Sequence, residues 1–145
     1  MARRGLCVAV TGGESERGVT QAVVRRMRSP ALDLGGATSL AGLTALLAST
    51  RLVVSNDSGP LHLAYAVGAP TVGIYWFGNL VNGGPATRER HRPVLSWTNA
   101  CPACGRSVRE PRCEHDDSFV GDVKVADVLD AIGELLDGTP SADVA

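Results

Sequence analysis

From Leu52 the chain reads Leu-Val-Val-Ser-Asn-Asp-Ser-Gly-Pro-Leu-His-Leu, ending at Ala64. An apolar β-branched run, a polar cluster and an apolar-periodic segment form the pattern of a buried strand that hands directly on to a helix. Pro60 suits the first helical position, where its missing N–H costs no bond. Asp57 or Ser58 is placed to cap the helix by accepting from a backbone N–H. Gly59 has no Cβ to hold a ligand away from the backbone. The unpaired N–H groups and the positive end of the helix dipole make such a turn a seat for an anion, phosphate above all. The Asp57 carboxylate then stands beside it, able to take a hydroxyl. His62, in the first turn, is placed to donate to a phosphate oxygen or to stabilise a departing diphosphate. Phosphate beside hydroxyls points to a nucleotide sugar. The same residues also suit a plain capped connection, with His62 a half-buried histidine bonded to backbone, and both readings stand at this point.

The surrounding chain repeats the strand–helix alternation. Leu6–Thr11 reads as a strand ending at Gly12-Gly13, followed by a helix from Ser15 to Met27 with Val19, Ala22, Val23 and Met27 on one face. Leu32–Leu34 is a short strand before Gly35-Gly36. Thr38 or Ser39 then caps a helix with the stripe Leu40, Leu43, Leu46 and Leu47. Arg51–Ser55 is the central strand and Pro60–Val67 its helix, stopped by Gly68 and Pro70. Thr71–Tyr75 is the next strand. Alternation of this kind implies βαβ units and a Rossmann-like parallel sheet with helices on both faces, an α/β fold. Residues 77–120 read as irregular, and a final amphipathic helix spans Val123–Leu136 with Val125, Val128, Leu129, Ile132 and Leu136 on one face. The expected domain is 6–137, with a flexible tail at 138–145.

At 145 residues and a formal net charge of −1, the chain has a single domain's length and no bulk electrostatic pull toward nucleic acid. No apolar run approaches the ~20 residues that span a bilayer. The apolar segment behind the basic Met1–Gly5 start ends at Val10, too short for a signal-peptide core, so the expected location is cytoplasmic, or peripheral at the inner membrane face.

Three further groups bear on chemistry. Glu14 and Glu16 follow a strand end, where a carboxylate can accept from ribose hydroxyls, or equally complement a helix dipole. Cys101, Cys104, Cys113 and His115 have the spacing of a Cys3His zinc site. Cys7 reads as a small buried hydrophobe. Arg88, Arg90 and Arg92 could meet an anionic acceptor, or lie on a solvated loop. No Gly-x-Ser-x-Gly or Walker loop is present.

Taken together these residues resemble glycosyltransferase family 9, the ADP-heptose:lipopolysaccharide heptosyltransferases and their relatives. The resemblance rests on Thr11-Gly12-Gly13 with Glu14 and Glu16, and on Asp33-Leu34-Gly35-Gly36 followed by Thr38-Ser39-Leu40. Above all it rests on Val53 to Ala64, with Gly68-x-Pro70 leading into a strand. It implies the C-terminal, donor-binding half of a GT-B fold. By that likeness Asp57 holds sugar hydroxyls, Ser58, Gly59, Pro60 and His62 surround the diphosphate, Glu16 or Glu14 contacts the ribose, and Thr38 and Ser39 lie near the base. The implied reaction is an inverting transfer from a nucleoside-diphosphate sugar, ADP-sugar favoured, to a glycan or lipid-linked acceptor. It requires no cofactor, and its general base comes from an N-terminal domain supplied in cis or in trans.

The resemblance also implies, for many relatives, a cysteine-bearing segment before the last helix, so Cys101, Cys104, Cys113 and His115 are compatible with a structural zinc and with none. Two departures are visible. Ala41 and Gly42 replace acidic residues usual after Thr-Ser-Leu, and Trp76-Phe77-Gly78-Asn79 replaces a Gly-Pro-Thr/Ser turn. The alternatives to a transferase half are a non-catalytic nucleotide-sugar module and a zinc-stapled interaction domain.

Overall fold

The computed structural model describes residues 5–138, so Met1–Arg4 and all of the expected 138–145 tail except Gly138 lie outside the described residues. The chain divides into two compact units, residues 1–45 and 46–145, with the boundary inside one helix. Among the described residues the named strands pair in parallel, in a two-stranded and a three-stranded sheet.

In the first unit β1 (Val8–Gly12) pairs with β2 (Ala31–Gly35), Gly12 opposite Gly35. Between them run a short 3-10 helix (Glu14–Glu16) and α1 (Arg17–Arg26). The helix begins two residues later than the expected Ser15, because residues 14–16 wind as 3-10. Its apolar residues Val19 and Val23 are exposed, and Thr20 is the buried one. The two strand-end glycines explain this choice. A Cβ on Gly35 would stand 2.1 Å from Thr20 Oγ1, and one on Gly12 would stand 2.9 Å from Thr20 Cγ2. Helix α1 therefore lies close on the strands through a small polar residue rather than through its valines. Cys7, expected in a strand core, precedes β1 and is exposed.

Helix α2 (Leu40–Ser49) is capped by Ser39, whose Oγ accepts from Gly42 N–H at 3.1 Å. The cap survives the loss of the acidic partner, because Ser39 alone satisfies that donor. Leu47 is buried and Leu40 exposed.

In the second unit β3 (Val53–Asn56), β4 (Thr71–Trp76) and β5 (His91–Ser96) lie in that order. Helix α3 (Gly59–Ala66) follows β3 and buries Leu61 and Ala64 fully. The segment expected to be irregular holds both α4 (Phe77–Gly83) and β5. Neither advertises itself: α4 has two glycines and two asparagines in seven residues, and β5 contains Pro93. Pro93 is tolerated because β5 is a sheet edge. Helix α5 (Val125–Asp137) packs on β4 and β5 through Val128, Ala131, Ile132, Leu135 and Leu136 around Val72. Val125 and Leu129, expected on the same face, are exposed. Arg92 is no solvated loop residue. It reaches from β5 to Glu134 on α5, Nε to Oε2 at 2.6 Å, with only 13% of its side chain exposed. Among the described residues no helix is long and apolar enough to cross a membrane.

Candidate functional site

Parallel strands bring their carboxyl ends to one edge, and in open α/β sheets ligands sit there. Asp57 directly follows β3, its N–H still donating to the Ile74 carbonyl of β4 at 2.9 Å. Its side chain is 16% exposed and both oxygens are engaged. His62 Nε2 lies 3.1 Å from Oδ1, and Asn79 Nδ2 donates to Oδ2 at 2.9 Å. Asn79 sits on α4, which follows β4, so the residues meeting at Asp57 come from behind two neighbouring strands.

Ser58 occupies the N-cap position of α3, yet its side chain makes no capping bond. Its Oγ donates instead to the Asn56 carbonyl at 3.1 Å and lies 3.3 Å from Ser55 Oγ. The sequence-based expectation of a side-chain cap from Asp57 or Ser58 is therefore corrected: Asp57 is occupied by His62 and Asn79, and Ser58 turns back to its own strand. The first turn of α3, with Gly59 and Pro60, is left without a side-chain acceptor.

A hydrogen-bonded layer supports this turn from below. Tyr75, fully buried in β4, pairs its hydroxyl with Tyr65 of α3 at 2.5 Å and donates to the Gly83 carbonyl at 3.3 Å. Burial, then the Tyr65 bond, pushes the Tyr75 hydroxyl far above the ordinary phenol range, so it stays protonated. Tyr65 stacks edge-on against His62 and His91, with ring centroids 5.9 Å and 4.7 Å away. His91 Nδ1 bonds Thr71 Oγ1 at 2.9 Å.

In front of Asp57 lies a cavity of about 570 Å³, a size that suits a small-molecule ligand. Asn56, Asp57 and Asn79 form its polar side, and Ile74, Trp76 and Phe119 its apolar side. Trp76 is fixed there by donating to the Thr98 carbonyl at 2.7 Å. The opposite wall is the segment between β5 and α5, which contributes Arg106, Ser107 and Arg112. The cavity thus offers two carboxylates, Asp57 and Glu110, two amides, Asn56 and Asn79, and two guanidinium groups.

Asn79, Trp76, Arg106 and Arg112 escaped the sequence reading as site residues. For Asn79 and Trp76 a signal existed: they end or follow the strand next to the Asp57 strand. For the two arginines none did.

The same wall carries Cys101, Cys104, Cys113 and His115, whose ligand atoms all lie within 4.8 Å of one another. The backbone N–H of Cys104, followed by that of Ala103, holds the buried Cys101 thiol below its ordinary range.

The remaining sequence-predicted residues belong to the first unit. Glu16 Oε2 accepts from Gly13 N–H at 2.6 Å, and Glu14 pairs with Arg17 at 2.9 Å. Arg17 also reaches the Gly36 carbonyl at 3.4 Å. Both acids thus have local partners, and Ser39 is engaged as the α2 cap beside Thr38. Asp33 accepts from Gly35 N–H at 3.0 Å, a bond that lowers its carboxyl below the usual range.

Comparison with known proteins adds the family context. The model of glycosyltransferase family 9 (heptosyltransferase) matches residues 1–110. The chain is 42% identical over 53 residues to the lipopolysaccharide core heptosyltransferase OpsX of Haemophilus influenzae, covering 37% of this chain and 15% of that protein. It is 34% identical over 97 residues to lipooligosaccharide heptosyltransferase 2 of the same organism, covering 64% of this chain and 25% of the other. The chain therefore spans a quarter or less of these curated relatives. Among solved structures, the family 9 glycosyl transferase of Veillonella parvula superposes with a TM-score of 0.73 at 24% identity. The E. coli ADP-heptose LPS heptosyltransferase II does so at 0.71 and 20%. Each of these matches covers 94% of this chain and 38% of the solved one. The fold is thus α/β with parallel sheets, matching part of a GT-B structure.

Proposed function

The chain belongs to glycosyltransferase family 9, and from that premise we propose that it is the donor-binding domain of an inverting glycosyltransferase. It takes a heptose-like sugar from a nucleoside-diphosphate carrier, ADP-sugar favoured, for transfer to a lipopolysaccharide or related glycan acceptor. One arrangement supports this reading above all. A mostly covered carboxylate, Asp57, is aimed by His62 and Asn79 at a cavity of about 570 Å³, and the next residues begin a helix with no side-chain cap.

Each part has a task in such a transfer. Asp57 accepts from sugar hydroxyls, and Asn79 fixes which way its oxygens point. The uncapped N–H groups of α3, with Ser58, Gly59 and Pro60 forming the turn, receive the diphosphate. As the bond to the anomeric carbon breaks, negative charge develops on the leaving diphosphate, which the helix dipole stabilises without reorganising. His62, half-exposed beside Asp57, donates to a phosphate oxygen. Arg106 and Arg112 bring guanidinium donors to the wall formed by residues 106–113, where Glu110 also lies and where Arg112 pairs with Asp116 at 3.3 Å. The acceptor hydroxyl loses its proton to a base outside this chain. The reading keeps the nucleoside contacts that the resemblance implies for Glu14, Glu16, Thr38 and Ser39.

Transfer itself tests the proposal. With the acceptor-binding half of the family fold supplied in trans, the chain should move sugar from an ADP-sugar to a lipopolysaccharide-core acceptor. Asp57→Ala should then lower kcat by about a hundredfold or more. Unchanged turnover in Asp57→Ala would remove that residue from the reaction. Donor binding without transfer, with every partner present, would favour a non-catalytic nucleotide-sugar module.

A further inference from the structure

Residues 97–124 join β5 to α5 without a strand or helix of their own, apart from one antiparallel bridge between Ala100 and Ser107. A connection of this length in a compact unit needs something to hold it. Aromatic contacts tie down its start and end, Trp97 on Phe77 and Phe119 on Trp76. The middle carries Cys101, Cys104, Cys113 and His115.

The backbone explains why these four converge. Cys101 N–H donates to the Arg106 carbonyl and Gly105 N–H to the Cys101 carbonyl, each at 2.8 Å, closing a tight loop over Pro102–Cys104. Gly105 makes the closure possible with φ +72°, a conformation that suits glycine. Two thiols three positions apart are thereby turned to one side. The second limb returns beneath Arg106, whose Nη1 donates to the Pro111 carbonyl at 3.4 Å. Beyond Pro111 the chain is neither helix nor strand and bends at Glu114. Cys113 and His115 flank that bend, and their ligand atoms come within 4.8 Å of those of Cys101 and Cys104.

We propose that these four residues bind one structural zinc ion, which pins the segment between β5 and α5 as a wall of the Asp57 cavity. Their ligand atoms lie within 4.8 Å of one another. Zinc–sulfur bonds of ~2.3 Å and zinc–nitrogen bonds of ~2.0 Å in a tetrahedron put ligand atoms ~3.5–3.8 Å apart, so closing on the ion needs about 1 Å of movement. Three sulfurs and one imidazole select a borderline-soft ion and disfavour magnesium or calcium. All four positions come from the protein, which makes the site structural and leaves no open position for chemistry. A disulfide would use two of the three thiols and give His115 no role. Cys101 and Cys113 line the cavity as well as the cluster, with Arg106, Ser107 and Arg112 between them in sequence. The ion therefore fixes where two guanidinium groups stand.

The site depends on this segment alone, and its test uses no nucleotide sugar. The full chain is purified under reducing, chelator-free conditions, and its zinc is measured by elemental analysis. The same protein is melted with and without a strong chelator, and the metal-stripped chain is titrated with cobalt. Cys104→Ser and His115→Ala probe the cluster, and Cys7→Ser, outside it, is the control.

The expected result is one zinc per chain in wild type and in Cys7→Ser, with affinity weakened at least tenfold in Cys104→Ser and His115→Ala. The chelator lowers the melting temperature by about 5 °C or more, and cobalt gives the absorption of a tetrahedral thiolate site. The proposal is overturned by wild type without stoichiometric zinc whose melting curve ignores the chelator. A cobalt spectrum without thiolate character, or a disulfide within the cluster of the reduced preparation, overturns it too. Cobalt binding to the wild type decides the matter even if a variant fails to fold.

Discussion

Asn79 and Asp57 stand 22 positions apart, yet the Asn79 amide donates to Asp57 Oδ2 at 2.9 Å, while Oδ1 is left to His62. The pair exists because β3 and β4 are parallel neighbours and the turn behind each arrives at the same edge. An amide that holds one carboxylate oxygen sets the direction in which the other can accept. Asn79→Ala should therefore weaken nucleotide-sugar binding about tenfold, the value of a hydrogen bond to a charged group. The melting temperature should barely move, since the pair is near the surface. Calorimetric titration beside thermal melting separates the two effects, and equal affinity in the variant would remove Asn79 from the site.

Gly36 closes the β2 turn at φ +64°, and a Cβ there would meet Arg17 Nε and Glu14 Oε2, each at 2.5 Å. Gly36→Ala should cost about 1–2 kcal/mol from the left-handed backbone alone. It should also displace the exposed Arg17–Glu14 pair, which by itself contributes little. Denaturant unfolding measures the loss. A variant as stable as wild type would show that this turn relaxes freely.

Arg92 joins β5 to α5 through Glu134 and donates as well to the Arg88 and His91 carbonyls. Replacing it with Met keeps the apolar stem but leaves those acceptors unpaired, so Arg92→Met should cost about 1–3 kcal/mol. Glu134→Gln should cost less, because that side chain is 37% exposed and the amide still accepts. A double-mutant cycle read by melting would give the coupling between them, and zero coupling would contradict the clamp.

His91 is held below the ordinary histidine value by burial first, then by Arg90 and Arg92. The folded chain resists taking the proton that the unfolded chain takes at about pH 6.5, so stability is lost as pH falls below that value toward the lowered one. The melting temperature should drop on acidification from about pH 7 to 5, and His91→Gln should flatten that slope. Parallel pH profiles for the two proteins would exclude His91 as the source.

Much of this was legible in the chain itself. The Val53–Ala64 grammar marked β3, the turn and α3, because β-branched residues, Pro60 and an apolar stripe each act locally. Helix α4 and strand β5 were not legible, since Gly78, Asn79 and Pro93 argue locally against the elements that tertiary contacts impose. The stripe of α1 misled for a related reason: its close approach to β1 and β2 runs through Thr20 and two glycines, a contact that hydrophobic periodicity does not register. Cys101, Cys104, Cys113 and His115 were visible as a spacing, and the fold supplied the turn at Gly105 that gathers them. Arg106 and Arg112 carried no signal, because only the return of their segment over β4 brings them opposite Asp57.

The most direct measurement is calorimetric titration of the purified chain with ADP-, GDP- and UDP-sugars, repeated on Asp57→Ala. The donor-site account predicts that ADP-sugar binds in preference to the others and that Asp57→Ala weakens this binding about tenfold or more. A well-folded chain that binds none of them, or binds ADP-sugar equally well without the Asp57 carboxylate, would contradict it.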